Sequence, residues 1–189
     1  MVWIRSSLKL WYRSAMIRPK IPLLLFILAA ILFVISVSQQ APHLPDRVAT
    51  HFDGQGRVNG WMSRQQHLGF MLAFGLGVPA FVVGLCHLIR FFPSRLLNVP
   101  HAEYWRSPEH YPEACRIVRQ WSSLLAAWLV LWFASLNHLV FVANQLSPPR
   151  LDSPQIFLHT GIFLTGIVIL VVRLYQSLRL PQVAVGSGS

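Results

Sequence analysis

Apolar positions in this chain are gathered into four long runs separated by polar, turn-rich stretches. The first covers about 21–40 and carries no charge from Ile21 to Gln40. The second, about 67–90, contains Gly69, Gly75, Gly77, Pro79 and Gly84. The third, about 119–144, is rich in tryptophan (Trp121, Trp128, Trp132), and the fourth, about 155–174, has Gly161 and Gly166 as small contact positions. At ~1.5 Å of rise per residue, each run reaches across a hydrocarbon core of ~30 Å. The pattern predicts an all-α membrane protein, a bundle of four transmembrane helices forming a single domain over 21–175. Gly75-x-x-x-Pro79 predicts a kink or a close helix approach within the second span.

The stretches between the runs have their own character. In 1–20, Arg5, Lys9 and Arg13 recur every four residues beside Ile4, Leu8, Trp11 and Tyr12, the pattern of an amphipathic helix lying in the membrane interface. The first span then reads as a retained signal-anchor rather than a cleaved signal peptide. Residues 41–66 form a cap with a hairpin-like pattern. Val48–Phe52 alternates weakly, Asp53-Gly54-Gln55-Gly56 is a turn cluster, and Asn59-Gly60 is a second turn signal. Residues 91–118 make the other connecting loop, where Ser107-Pro108-Glu109 reads as a helix start and Pro112 as an interruption. The closing residues 185–189 of the 176–189 tail read as a cloning remnant.

Composition agrees with a bilayer environment. The chain is 54% apolar and only 12% charged, about half the charged fraction of a soluble domain. Lys and Arg outnumber Asp and Glu by 16 to 6, but they flank the apolar runs and form no nucleic-acid-reading motif, so membrane orientation explains them better. Basic residues cluster in the N-terminal segment (Arg5, Lys9, Arg13, Arg18, Lys20), in 90–119 (Arg90, Arg95, Arg106, Arg116, Arg119) and at the C-terminal end (Arg173, Arg179). The opposite side has Arg47, Arg57, Arg64 and Arg150. Positive-inside bias places both termini in the cytoplasm and the 41–66 cap outside, in a multi-pass protein of the inner membrane. Two cysteines, Cys86 and Cys115, argue against both a disulfide framework and a four-ligand zinc cluster.

Polar side chains within spans are costly and each needs an account. By depth, Asn137, His138, His159 and His67 can converge beneath the cap residues His51, Asp53, Arg57, Asn59, Trp61 and Arg64 to make an outward pocket for a ligand or partner. The simpler role for Asn137 and His138 is hydrogen bonding between helices. Arg57, Trp61 and Arg64 suit the headgroup level, where they anchor a loop. No metal or other cofactor is expected, because no fixed-spacing ligand motif is present: His51, His67, His138 and His159 are weak candidates, and the spacings of His101, Glu103, Glu109, His110, Glu113 and Cys115 in the other loop match no known site. No nucleophile–base pair, phosphate loop or intramembrane carboxylate pair stands out.

The cap motif Leu-Pro-Asp-Arg-x-x-x-His-Phe-Asp-x-x-Gly-x-x-x-Gly-Trp-x-Ser-Arg runs from Leu44 to Arg64. It is followed by a loop motif built on Asn98, Pro100, Tyr104, Trp105, Pro108 and Glu109. Together they resemble the N-terminal domain of unknown function of the bacterial sporulation-delay immunity (SdpI-like) membrane family, over roughly residues 20–145. That resemblance implies a non-enzymatic membrane protein that recognises a secreted toxin or peptide, a lipid or a partner protein through its cap. This chain is shorter than the immunity proteins. The other readings are an accessory subunit or homo-oligomer in a larger membrane complex, and a metal-handling or membrane enzyme using the outer histidines.

Overall fold

The computed structural model describes residues 20–180; all but the last residue of the expected interfacial helix over 1–20, and the end of the tail, lie outside them. Helix α1 spans Ile21–Gln40 and ends in a short 3₁₀ turn, Ala41–His43. Strands β1 (Arg47–Phe52) and β2 (Val58–Ser63) pair antiparallel as one hairpin. Then come α2 (Arg64–Leu72), a π-helical turn (Ala73–Gly77) and α3 (Val78–Leu88). A loop carrying the short α4 (Ala102–Arg106) leads to α5 (Tyr111–Ala143) and α6 (Ser153–Ser177). Among the described residues, four helical stretches are long and apolar enough to cross a membrane, α2, the π turn, α3 and a closing 3₁₀ turn (Ile89–Phe91) together making one of 28 residues. The outward faces carry side chains such as Phe81 and Phe157, 70% and 68% exposed. Water would not tolerate so continuous an apolar surface, and hydrocarbon does.

The 33 residues of α5 make it the central post, packed against α1, α3 and α6. Its small residues Ala126 and Ala127 are buried, which lets neighbouring backbones come close, the main source of helix association where lipid is as apolar as leucine. Phe33, Val37, Met71 and Val130 complete the core on that side. A second core, formed by Leu97, Trp105, Ala114, Ile117 and Leu178, seals the end opposite the hairpin. Because α4 and the end of α6 meet there, residues 20 and 180 share that end of the bundle.

The glycine-and-proline pattern in the second span has a structural reading. Pro79 lacks an N–H, so the carbonyl four residues earlier has no helical partner, and the chain widens into the π turn just before it. Within that turn Gly75 faces Phe33: a Cβ there would lie 2.6 Å from the phenyl ring. Bare backbone at this position therefore sets the distance between the first and second spans.

Helix α6 is held by the tryptophans of α5. Trp121 Nε1 donates to Ser177 Oγ (3.2 Å), Trp128 Nε1 donates to the Phe163 carbonyl (3.1 Å), and Trp132 stacks on Phe163 with ring centroids 4.4 Å apart. Gly166 leaves room for the Trp128 indole, since a Cβ would sit 2.4 Å from it. Gly161, by contrast, faces open space and is not the contact its type suggested.

Three local expectations are corrected. Asn59 and Gly60 lie within β2, not in a turn; Gly60 opposes His51, whose Cβ would be 2.8 Å from a Cβ at that position. Ser107 does not cap a helix: its carbonyl accepts the His110 and Tyr111 N–H groups in a turn, and α5 starts at Tyr111. Pro112 sits in the first turn of α5, where a missing N–H costs nothing, so the helix begins well before residue 119.

Gly75→Val is expected to lower stability by about 1–3 kcal/mol through overpacking, and Phe33→Ala to recover part of that loss. Thermal unfolding of the single and double variants in detergent measures this; strictly additive losses would show that the two residues do not meet.

Candidate functional site

The hairpin is short, and an isolated two-stranded ribbon is marginally stable. It persists because it is tied to the bundle at several points. Asn144, at the end of α5, accepts the Ala49 N–H on Oδ1 (2.8 Å) and donates from Nδ2 to the carbonyls of Ala49 (2.9 Å) and Val140 (2.8 Å). One amide thus satisfies both backbone groups of a buried strand residue that the partner strand leaves free. Val48 and Leu44 pack on Val140 below. At the strand–helix junction, Ser63 and Gln66 form a reciprocal capping box. Arg64 adds an ion pair to Asp46 (2.7 Å).

The tip is organised by Asp53. Its Oδ1 accepts the N–H groups of Gln55 (2.9 Å) and Arg57 (2.8 Å), and its Oδ2 takes Arg57 Nε (2.8 Å). These bonds, the Arg57 N–H foremost, hold the Asp53 carboxyl below its ordinary value of 3.8. Gly56 has φ +76° and lies against the α5–α6 connection: Leu151 N–H donates to its carbonyl (3.0 Å), and a Cβ would lie 1.9 Å from the Leu151 carbonyl oxygen. Arg57 and Arg150 form an isolated backbone bridge beside it. On the outer surface the Arg47 guanidinium lies 5.2 Å from the Trp61 ring centroid, a cation–π contact. Gln55, Arg57, Trp61, Pro148 and Arg150 line an open groove of about 420 Å³.

Beneath the hairpin, a chain of polar side chains joins the first three spans. His67 Nε2 donates to Asn137 Oδ1 (3.0 Å), Asn137 Nδ2 to Gln40 Oε1 (2.9 Å), and Gln40 Nε2 to Ser36 Oγ (3.0 Å). Gln40 Nε2 also lies 3.4 Å from His138 Nδ1. Each donor becomes the next acceptor's partner, so the chain runs in one direction and its members polarise one another. His67 and Asn137 are each 1% exposed.

The predicted site residues therefore fall into groups. His67, Asn137 and His138 meet at this chain. His51 and Asn59 stand exposed on the hairpin, beside Arg57 and Trp61. His159 belongs elsewhere: it contacts Ser135 in the α5–α6 seam. Among the described residues, no three His, Cys, Asp or Glu side chains gather as metal ligands. The second motif builds the opposite end of the bundle. Buried Trp105 donates from Nε1 to the Leu178 carbonyl (2.8 Å), Tyr104 stacks on His110, and Ser107 Oγ donates to the Tyr104 carbonyl (2.9 Å). Asn98, Pro108 and Glu109 are exposed there, and Pro100 is half-buried. Sequence reasoning missed Ser36, Gln40 and Asn144; the last two mark the ends of apolar runs, where a carboxamide beside a turn was the available clue.

The fold and site define a multi-pass membrane protein whose hairpin cap is bonded into its helix bundle. A family model described as a domain of unknown function (DUF1648) matches residues 24–76, covering most of α1, the hairpin and the second span as far as the π turn. No curated protein and no solved structure matches the chain.

Asn144→Leu strands two backbone groups of Ala49 and is expected to cost about 2–4 kcal/mol, at about 1 kcal/mol or more per lost bond. Faster protease cleavage within 44–64, with the helices intact, would report it. The Asp53 contribution works in one direction with pH. A carboxyl held low in the folded state stabilises the tip at neutral pH, and that stabilisation is lost as pH falls through and below the ordinary carboxylate range. Protection of the Gln55 and Arg57 amides against exchange, measured relative to unstructured peptide at the same pH, should fall there, and Asp53→Asn should abolish the acid step.

Proposed function

We propose that this protein works by binding rather than by catalysis, presenting the hairpin cap on the outer face of a bacterial inner membrane to a membrane-active peptide toxin. The observation that supports this most is the contrast within the cap. Its backbone is fixed by Asn144, Arg64–Asp46 and Gly56–Leu151, while Arg57, Trp61 and Arg150 stay exposed around a shared groove. A surface held rigid loses little entropy on association, and tryptophan with arginine is the pairing most enriched at binding hot spots. The cap motif's resemblance to the sporulation-delay immunity family and the distribution of basic residues favour the same reading. Both termini then lie in the cytoplasm.

Two measurements test it. A cysteine introduced as Gly54→Cys, where a side chain meets open space, should react with an impermeant thiol reagent added to intact cells. Protection of that thiol until lysis would invert the topology. Cells that lose the protein should become more sensitive to a panel of membrane-active peptides. Trp61→Ala and Arg150→Ala should reproduce at least part of the loss at unchanged protein level. Equal sensitivity of deleted and intact cells across the panel would refute the binding role.

A further inference from the structure

The seam between α5 and α6 holds a further pair of polar groups that the bundle does not explain. Ser135 Oγ donates to the Trp132 carbonyl (3.1 Å) and so has a lone pair left for His159 Nε2, which it contacts. With the imidazole proton on Nε2, His159 Nδ1 is a bare acceptor. That nitrogen and the Trp132 Nε1–H are both buried without a hydrogen-bond partner. Leaving such groups unpaired in an apolar setting costs about 1–3 kcal/mol each. One is a donor and one an acceptor, and their residues line the same cavity of about 180 Å³.

A second, apolar cavity of about 500 Å³ shares Trp128 and Leu131 with the first and runs past Leu28, Gly166 and Ile169 between α1, α5 and α6. Small ligand sites fall in the ~300–1,000 Å³ range. The polar end lies two to five residues below Asn137 on α5, about 3–8 Å deeper than the level at which α1 ends. The 20 residues of α1 cover about the ~30 Å hydrocarbon core, so this end sits just inside the edge of that core, a depth to which the free hydroxyl of an uncharged glycerolipid can sink.

We propose that the seam is a binding site for a glycerolipid with a free hydroxyl, such as a mono- or diacylglycerol. A hydroxyl both donates and accepts, and so it answers His159 Nδ1 and Trp132 Nε1–H together; an ester carbonyl answers only the indole. Entry of the hydroxyl turns the His159 and Trp132 rings enough to uncover Nδ1 and Nε1–H, and the acyl chain follows the apolar cavity towards Ile169. This site stands apart from the cap and does not depend on the cap's function.

The test uses the full chain in phospholipid nanodiscs with a monoacylglycerol carrying a diazirine and an alkyne on its chain. Labelled residues are mapped by mass spectrometry. Labelling should concentrate at Leu131, Trp128 and Ile169, and excess unlabelled monoacylglycerol should compete it away. Trp132→Phe and His159→Phe should each cut seam labelling about five-fold, the worth of one hydrogen bond near 1 kcal/mol. Methylating the probe's hydroxyls should do the same with the unaltered protein, which keeps the test valid if a variant misfolds. Labelling spread over the outer faces of α1 and α6 in proportion to exposure, or seam labelling indifferent to methylation, would overturn the proposal.

Discussion

Asn137 and Asn144 stand seven residues apart, two turns of α5, and so share one face of that helix. The rest of the hairpin end depends on what this face does. In water, a frayed strand or an unpaired carboxamide finds solvent; buried among helix ends, as Asn137 and Asn144 are, it does not. Asn144 supplies the hydrogen bonds that β1 needs on its free side, and Asn137 gathers the polar ends of the first and second spans. Without these two amides the hairpin would be a marginal ribbon on a flexible leash. With them it is an extension of α5.

The length of α5 makes this possible. Its 33 residues are about 50 Å long, some 20 Å more than a hydrocarbon core requires. The surplus projects at both ends and serves as a docking post at each. At one end Ala114 and Ile117 receive Leu97, Trp105 and Leu178; at the other, Val140 and Asn144 receive Leu44, Val48 and Ala49. The two motifs are thereby joined through a single rigid element.

The architecture was largely legible in the sequence because the bilayer imposes one strong rule. Runs without charge must be spans, and Asp53-Gly54-Gln55-Gly56 between strand-like segments must turn. Gly75 and Pro79 announced an irregularity that became the π turn and the contact with Phe33. Where reading by type failed, tertiary context had taken over. Asn59-Gly60 has the composition of a turn, yet Gly60 is a glycine because the His51 side chain occupies the space above it. Gly161 and Gly166 look alike in sequence, and only Gly166 faces an indole. Sorting the histidines by depth put His159 with His67; helix azimuth, which depth cannot supply, separates them. Gln40 and Asn144 were treated as the limits of spans, although limits are where polar side chains meet neighbouring helix ends.

The two ends of the molecule present different surfaces to a partner. Around 89–111 several aromatic and polar groups are turned inward, Trp105 on Leu178, Tyr111 on the carbonyls of Ile89 and Phe92, Arg106 on Leu97, while Phe91 and Phe92 stay exposed. Those bonds close the bundle. On the hairpin, Asp53, Gly56 and Asn144 meet the backbone's hydrogen-bonding demand from within, and Trp61, Arg57 and Arg150 remain on the exposed surface, Arg57 with its guanidinium paired to Asp53. A hairpin fixed this way cannot respond to a ligand by folding around it. Any force on its tip passes through Leu151 into the start of α6 and through Ala49 into α5, the two helices whose contact relies on the tryptophan seam. The cap is thus rigid at its surface, and a load on it is borne where α5 and α6 meet.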